Sequence, residues 1–151
     1  MKSEPSVFSF EDLKTRPGRK EPWDGIRNYL ARNFMMKDME KGDKVLFYHS
    51  NSKEIGVAGL AQIASDAYPD PTQFDKRSEY FDPKATKDEP RWYLRDVQWL
   101  ADFKRLVPLA ELKKHKELSN MLVVQKGQRL SIQPVSRKEY EIIVELGGLV
   151  R

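Results

Sequence analysis

The sequence contains no cysteine and only two histidines, and these shortages remove several kinds of chemistry. Without cysteine there is no disulfide bond, no thiolate-bound zinc or iron–sulfur cluster and no thiol nucleophile. His49 and His115 alone do not supply the two or three histidines and the carboxylate of a usual mononuclear zinc hydrolase. We therefore expect no metal and no cofactor. The lack of cysteine favours an intracellular location. We expect this location to be the cytoplasm in a prokaryote and the nucleus in a eukaryote.

Long apolar stretches are also missing. No run approaches the roughly 18 residues that a membrane-spanning helix needs, and the mean hydropathy is −0.70. The 151 residues are enough for one ordinary domain with a buried core. We therefore predict a single domain over residues 1–151 that does not engage a membrane.

The usual catalytic motifs are absent as well. The sequence has no GxSxG, GxGxxG, Walker or HExxH pattern. Glu4, Asp24 and His49 are the candidate acids and bases for an enzyme that acts on a nucleotide or a modified base. Since no nucleophile, base and orienting group occur at a known spacing, we predict that the protein is not an enzyme and keep catalysis as the alternative.

Charge and aromatic content favour a binding protein. The chain has 27 basic and 23 acidic residues, a net charge of +4, and aromatic residues make up 11% of it. This balance permits a nucleic-acid partner without requiring one. Flat rings stack on bases, whereas cations bind phosphate without reading sequence.

Hydrophobic periodicity predicts four strands and four helices. The strands are expected over residues 44–50, 55–64, 91–100 and 129–134, with Gly56 and Gly59 marking a bulge or a close backbone approach. Helices are expected after the caps Ser9, Asn28, Pro108 and Ser136, with capping boxes at the first and last. Because strands and helices do not alternate as βαβ, we predict an α+β domain on a curved, barrel-like mixed sheet flanked by helices.

A long polar segment, residues 66–90, separates the second and third predicted strands. It contains Tyr68, Phe74, Tyr80 and Phe81. Long loops with rings are more often functional than disordered. An adaptor that holds another protein with exposed aromatics of this loop is a further alternative.

Two segments offer groups that could hold a base. In the segment Trp23–Asn28 the indole either plugs the core or stacks on a base, and Asn28 is a helix N-cap with base-edge contact as a second role. Strand 44–50 ends in consecutive hydrogen-bonding side chains, where His49 either has a partner within the protein or contacts a ligand. Sequence alone leaves these alternatives open.

Seven segments, taken in order, resemble the EVE domain family: Lys2–Pro5, Trp23–Tyr29 with Ala31–Phe34 behind it, Phe47–Asn51, Gly56–Gly59, Ala67–Thr72, Asp96–Val97 and Arg129–Val135. The resemblance covers essentially the whole chain. It implies a PUA-like fold, related to the YTH readers of methylated adenine, and a pocket for a modified or flipped base. Modified cytosine in DNA is the implied ligand class, and the expected partner is DNA or RNA that carries a modified base, bound by a monomer.

Carried over residue by residue, the resemblance gives a base pocket lined by Ser3, Glu4, Trp23, Asp24, Gly25, Ile26, Arg27, Asn28, Tyr48, His49, Ser50 and Tyr68. Phosphate contacts are expected from Arg27, Arg32 and Arg129. Family members carry a few apolar and aromatic residues before the Lys-Ser-Glu-Pro motif, where this sequence has only Met1. We therefore expect either a shortened first strand or a start downstream of the true one.

Overall fold

Seven strands build the domain in the computed structural model, which describes residues 1–149. They are β1 (Lys2–Ser3), β2 (Lys20–Pro22), β3 (Lys44–His49), β4 (Gly56–Ile63), β5 (Tyr68–Pro69), β6 (Tyr93–Leu94) and β7 (Asp96–Pro108). Five of them form one sheet in the order β1-β3-β4-β7-β2, while β5 and β6 form a separate pair. The pairing of β1 with β3 is parallel and the other pairings are antiparallel, so the main sheet is mixed as predicted.

Short helices flank this sheet. They are α1 (Phe10–Thr15), α2 (Tyr29–Asn33), which continues as a π-helical turn (Phe34–Asp38), α3 (Leu109–Leu112) and α4 (Arg137–Leu146). Both predicted capping boxes are present: Ser9 and Asp12 cap α1, and Ser136 and Glu139 cap α4. These reciprocal bonds satisfy amide groups that the first turn of a helix leaves without partners.

The sheet curls into half a barrel because β7 is long and its partner β4 is irregular. β7 has 13 residues and pairs with both β4 and β2. The register of β4 shifts between Val57 and Gly59 and again after Leu60, and such bulges bend a strand. A Cβ on Gly59 would collide with the ring of Phe10, and one on Gly56 with a backbone oxygen of β7. The bulge and the close approach predicted for these glycines are confirmed.

Each face of the sheet covers its own hydrophobic core, as alternation along a strand requires. On β3, Val45 and Phe47 belong to the core that includes Trp23 and α1. Leu46 and Tyr48 belong to the other core, which packs against α3 and α4. Successive residues of β3 therefore serve opposite sides of the molecule.

Two predicted strands differ from the structure. No strand forms over residues 129–134, where a single bond joins the backbone to β1, from the Lys2 amide to the Ser131 carbonyl at 2.8 Å. The strand predicted over 91–100 begins later and is interrupted, because the side chain of Gln73 accepts the amide N–H groups of Arg91 and Trp92 in place of a neighbouring strand.

Two predicted helices are shorter than expected. The helix after Pro108 ends at Leu112, and Leu118 reaches the core from a separate 3-10 turn. The helix after Asn28 changes to a π turn at Phe34. Its first two residues do not face the core: Tyr29 is 51% exposed and stacks on Trp92, and Leu30 is 54% exposed.

Candidate nucleic-acid interface

A buried carboxylate holds the segment Trp23–Asn28 in place. Asp70, only 1% exposed, accepts the Gly25 amide at 2.9 Å and an Arg27 N–H at 3.1 Å through one oxygen. Its other oxygen accepts the amide and hydroxyl of Thr72 at 2.8 and 2.6 Å. A buried charge needs such partners, so the loop over residues 66–90 and the segment Trp23–Asn28 form one hydrogen-bonded unit.

Glycine is required at position 25 within this unit. Gly25 has a φ of +82°, and a Cβ there would lie 2.7 Å from the ring of Tyr80. The left-handed conformation and the close ring each disfavour any other residue. Gly25 therefore shapes the backbone beside Trp23 and offers a ligand no side chain.

Arg27 is fully engaged inside the protein. Its five N–H groups donate to the carbonyl of Tyr80 twice, the carbonyl of Ile26, Asp70 and the hydroxyl of Thr72. The guanidinium also lies 5.3 Å from the ring of Trp92. A phosphate could contact Arg27 only by displacing one of these acceptors. In the structure Arg27 holds the loop over residues 66–90 in place, and contact with phosphate stays a prediction.

The indole of Trp23 packs in the core and yet has one edge in contact with solvent. It is 9% exposed and makes edge-type contacts with Phe8 and Phe47, at centroid distances of 6.1 and 5.6 Å. Its Nε1–H has no hydrogen-bond partner, and no buried side-chain nitrogen or oxygen within the described residues lacks one. The indole N–H is therefore accessible and free to donate to a ligand.

His49 lies on the same side and also has a free donor. Its ring contacts Phe47 at 5.7 Å, and its Nε2 accepts the Phe10 amide at 3.0 Å. An accepting Nε2 leaves the proton on Nδ1, which has no partner in the described part of the chain. Burial lowers the pKa of His49 and so favours this neutral form. His49 therefore has a partner within the protein through Nε2 and keeps its Nδ1–H for a ligand.

Ser3 and Glu4 lie at the end of β1, beside the ring cluster formed by Phe8, Trp23, Phe47 and His49. Ser3 pairs with His49 across the parallel strands, and its hydroxyl donates to the Phe8 carbonyl at 2.5 Å. The exposed Glu4 accepts the side-chain amide of Asn51 at 3.3 Å. β1 is only two residues long.

Of the remaining residues of the segment Trp23–Asn28, Ile26 is buried, whereas Asp24 and Asn28 are exposed. Ile26 is 9% exposed and belongs to the core. Asn28 caps α2 by accepting the Ala31 amide at 3.1 Å, which confirms the predicted N-cap. Asp24 is exposed; burial of its surroundings raises the pKa of its carboxyl, and the charges of Asp70 and Glu21 raise it further.

Three predicted pocket residues do not present free polar groups beside Trp23. Two of them, Tyr48 and Ser50, lie on the opposite face of the sheet, and the hydroxyl of the third, Tyr68, bonds within the protein. Tyr48 points into the opposite core, and Ser50 lies beside it at the end of β3. The Tyr68 hydroxyl donates to Asp96 at 2.5 Å. Burial and then this bond raise the pKa of Tyr68. Its ring packs against the core that contains Trp23, so Tyr68 supports that side through its ring.

The aromatic loop is not an exposed surface. Its four predicted rings are all half-buried. Tyr80 lies against Gly25 and beneath the Arg27 guanidinium at 5.5 Å. None of the four is an exposed aromatic of the kind on which the adaptor alternative depends.

The other two predicted phosphate ligands keep donors available. Arg32 uses its guanidinium to bond Asn33 and the carbonyl of Arg91 and lies 4.6 Å from the ring of Tyr29. Arg129 is exposed. Within residues 1–149 neither of them forms an ion pair with a carboxylate.

Sequence reasoning missed the residues that organise the site. Phe8 and Phe47 hold the indole between them, and Asp70 holds the adjoining loop. Asp70 lies in the segment Ala67–Thr72 noted above, but nothing in the sequence shows that its carboxylate is buried. No cluster of three metal-ligating side chains and no helix able to cross a membrane occurs among the residues described.

The curled mixed sheet, its flanking helices and the ring cluster at the end of β1 and β3 define an α+β domain of the PUA-like class. Comparison with known proteins narrows this class. The chain belongs to the EVE domain family, whose sequence model matches residues 1–146. The resemblance noted in the sequence and the predicted fold are confirmed.

Named relatives and solved structures agree with this assignment. Thymocyte nuclear protein 1 of Homo sapiens is 44% identical and the alignment covers 97% of this chain and 72% of the relative. The protein of the same name from Danio rerio is 45% identical, with 97% and 70% covered. A crystal structure of human THYN1 in complex with DNA containing 5-methylcytosine has a TM-score of 0.90 at 44% identity and covers 100% of this chain and 97% of its own. A Pseudomonas syringae protein of known structure also reaches 0.90, at 45% identity with 97% of both chains covered.

Proposed function

We propose that this protein binds DNA that carries a modified cytosine and holds that base outside the helical stack. One observation carries the proposal: the human THYN1 structure that matches this chain over its full length, with a TM-score of 0.90, is a complex with DNA containing 5-methylcytosine. The ring cluster around Trp23 supports it, since a flipped base needs an aromatic surface and hydrogen-bonding groups at its edge.

The recognition site that we propose lies on the Trp23 side of the end of β1 and β3. The indole of Trp23 offers its solvent-facing edge with a free N–H, and His49 offers a free Nδ1–H on the same side. Asp24 and Asn28 are exposed neighbours along the chain that can contact the base edge. Ser3, Gly25 and Ile26 shape the surrounding backbone, and Glu4 lies at its rim.

The free energies involved set the expected selectivity. Unstacking a base costs a few kcal/mol, which stacking on one aromatic ring offsets by about 1 to 3 kcal/mol. Burial of one methyl group contributes about 0.8 kcal/mol, or roughly fourfold in affinity. A larger preference for methylated over unmethylated cytosine would need a hydrogen bond that only the modified base permits.

Fluorescence anisotropy with paired duplexes tests this function. We expect the duplex with one 5-methylcytosine to bind at least about fourfold more tightly than its unmodified partner. The same pair of sequences as RNA shows whether the sugar matters. The Trp23→Phe variant, which keeps a ring but loses the indole N–H, should reduce the preference, whereas Val135→Ala, at an exposed residue before α4, should leave it unchanged. Equal affinity for both duplexes would refute the proposal.

We propose binding without catalysis, at an intracellular site where such DNA occurs. Glu4, Asp24 and His49 are the groups on which the enzyme alternative depends, and Glu4 bonds Asn51 while His49 bonds the backbone of α1. Mass spectrometry of the duplexes after incubation with the protein tests the alternative. We expect unchanged masses; a change that the Asp24→Asn variant abolishes would establish an enzyme.

A further inference from the structure

A depression lies at the end of β1 and β3, on the face of the sheet opposite Trp23. It encloses about 530 Å³, and its lining includes Lys2, Tyr48, Ser50, Lys113, Lys126 and Gln128. Lys2 is the register partner of Tyr48, so their side chains share one face, while Ser3 and His49 share the other. We call this site the lysine depression.

The lysine depression carries charge of one sign. Three lysines line it, and among the described residues no aspartate or glutamate does. None of the three forms an ion pair within residues 1–149. An acidic group beside the lining is Glu4, which accepts the side-chain amide of the lining residue Asn51. Cations held together without carboxylates attract an anion, and this arrangement is distinct from the paired charges elsewhere on the surface.

Neutral donors accompany the lysines. The hydroxyl groups of Tyr48 and Ser50 have no hydrogen-bond partner in the described part of the chain, so both can donate to a ligand. Lys2 donates to the Gln128 carbonyl at 3.1 Å, which fixes one cation near the floor. Arg129, which is expected to contact phosphate, directly follows Gln128 along the chain. A cluster of cations and hydroxyl donors suits the several acceptor oxygens of a phosphate ester.

We propose that the lysine depression binds backbone phosphates of the strand that carries the recognised base, an assignment that rests on the proposed function. The two sites are built by consecutive residues, Lys2 with Ser3 and Tyr48 with His49, whose Cα atoms are about 3.8 Å apart. A DNA strand whose base is held beside Trp23 can therefore continue around the end of β1 and β3 to the three lysines. The run of cations after Leu112 thus contributes Lys113 to a binding surface.

The Lys113→Glu/Lys126→Glu double variant tests the assignment against a matched control, Lys41→Glu/Lys138→Glu. All four lysines are exposed, so both variants change the net charge equally and should fold. Lys41 precedes β3, roughly 20 Å along the strand from the depression, and Lys138 lies on α4. The neutral variant Lys113→Gln/Lys126→Gln checks that the effect follows charge, and circular dichroism checks the fold of each variant.

We expect the depression variant to bind methylated and unmethylated duplexes at least tenfold more weakly than the control does at the same salt concentration, with an unchanged ratio between the two duplexes. The slope of log affinity against log salt concentration should fall by about two, since each phosphate contact contributes about 0.9. Equal affinities and slopes for the two double variants would overturn the assignment. A changed ratio between the duplexes would overturn it as well, because it would place the lysines at the base.

Free phosphate esters are the other source of the same chemistry. Titration with deoxycytidine monophosphate distinguishes them: if its binding depends on Lys113 and Lys126 while duplex binding matches the control, the strand assignment is wrong. The slope on unmodified DNA can be measured whether or not the protein prefers methylcytosine. Failure of the proposed function and failure of this inference are therefore distinguishable.

Discussion

The two faces of the sheet at the end of β1 and β3 differ in chemistry, although adjacent residues build them. On one face, which we call the ring face, Ser3 and His49 lie beside the rings of Phe47 and Trp23. On the other, which we call the lysine face, Lys2, Lys113 and Lys126 line a depression that has no carboxylate among the described residues. The two residues of β1 therefore point to two kinds of site: Ser3 lies among groups suited to distinguishing a base, and Lys2 lies among groups suited to binding any phosphate.

The ring face has a structural role as well, and removal of its tryptophan gives the largest expected effect. Since the indole is 9% exposed between Phe8 and Phe47, we expect Trp23→Ala to lose about 3 to 5 kcal/mol of stability. Trp23→Phe should lose clearly less. Urea unfolding measures both, and equal stability of Trp23→Ala and the parent protein would show that the indole does not support the core.

The loop behind the ring face depends on one buried carboxylate. We expect Asp70→Ala to cost about 3 kcal/mol, because it leaves the half-buried Arg27 and the Gly25 amide without their acceptor. Asp75→Ala is the matched control in the same loop, where an exposed ion pair with Arg77 should contribute less than about 1 kcal/mol. Thermal or urea unfolding that gave both variants the same small loss would contradict this account of the loop.

The two faces should also respond differently to acid, because only the ring face contains His49. Its neutral ring accepts the Phe10 amide, and burial holds its pKa below the usual value of about 6.5. This bond contributes stability above that value and is lost as the pH falls through the folded pKa. The free energy of unfolding should therefore decrease toward about pH 5, by at most about 1.4 kcal/mol per pH unit from this group.

The His49→Gln variant isolates this contribution, since glutamine can accept the same amide but does not titrate. The buried α-amino group of Met1, whose pKa burial lowers to about 5, titrates in both proteins and cancels in the difference. We expect the variant to lose less stability than the parent protein between about pH 7.5 and about pH 5. Identical pH dependence in urea unfolding would show that the Phe10 bond does not depend on the charge of His49.

The smallest expected effect lies on the lysine face. Tyr48→Phe removes a free hydroxyl from the depression and should weaken binding of every DNA by about two- to fivefold, the contribution of one hydrogen bond. The ratio between methylated and unmethylated duplexes should not change. If anisotropy shows that this ratio falls, Tyr48 contacts the base and the division between the two faces is wrong.

The parts of the fold that local patterns determine were predictable. Capping boxes at Ser9 and Ser136 and the strands predicted over residues 44–50 and 55–64 depend on neighbours in sequence, and the structure confirms them. The short β2 and the end of the helix after Pro108 depend on distant packing, and the sequence does not reveal them. At residues 91 and 92 the side chain of Gln73 replaces a strand partner, which no periodicity could indicate.

The candidate site was predictable in its residues more than in their arrangement. The sequence identified Trp23, His49 and Asn28, and the structure shows that Trp23 and His49 share contact with Phe47. It could not show that all five donors of Arg27 are used internally. Nor could it show that Lys2 lines one depression with Lys113 and Lys126, which lie more than 100 residues further along the chain.

The central claim, that the ring face receives the modified base, is tested most directly by nuclear magnetic resonance of the complex. A duplex with a ¹³C-methyl-labelled 5-methylcytosine would be bound to the protein, and nuclear Overhauser effects from that methyl group would be recorded. We predict cross-peaks to indole protons of Trp23 or ring protons of His49. Cross-peaks only to residues of the lysine depression, or only to neighbouring bases of an intact stack, would contradict the account.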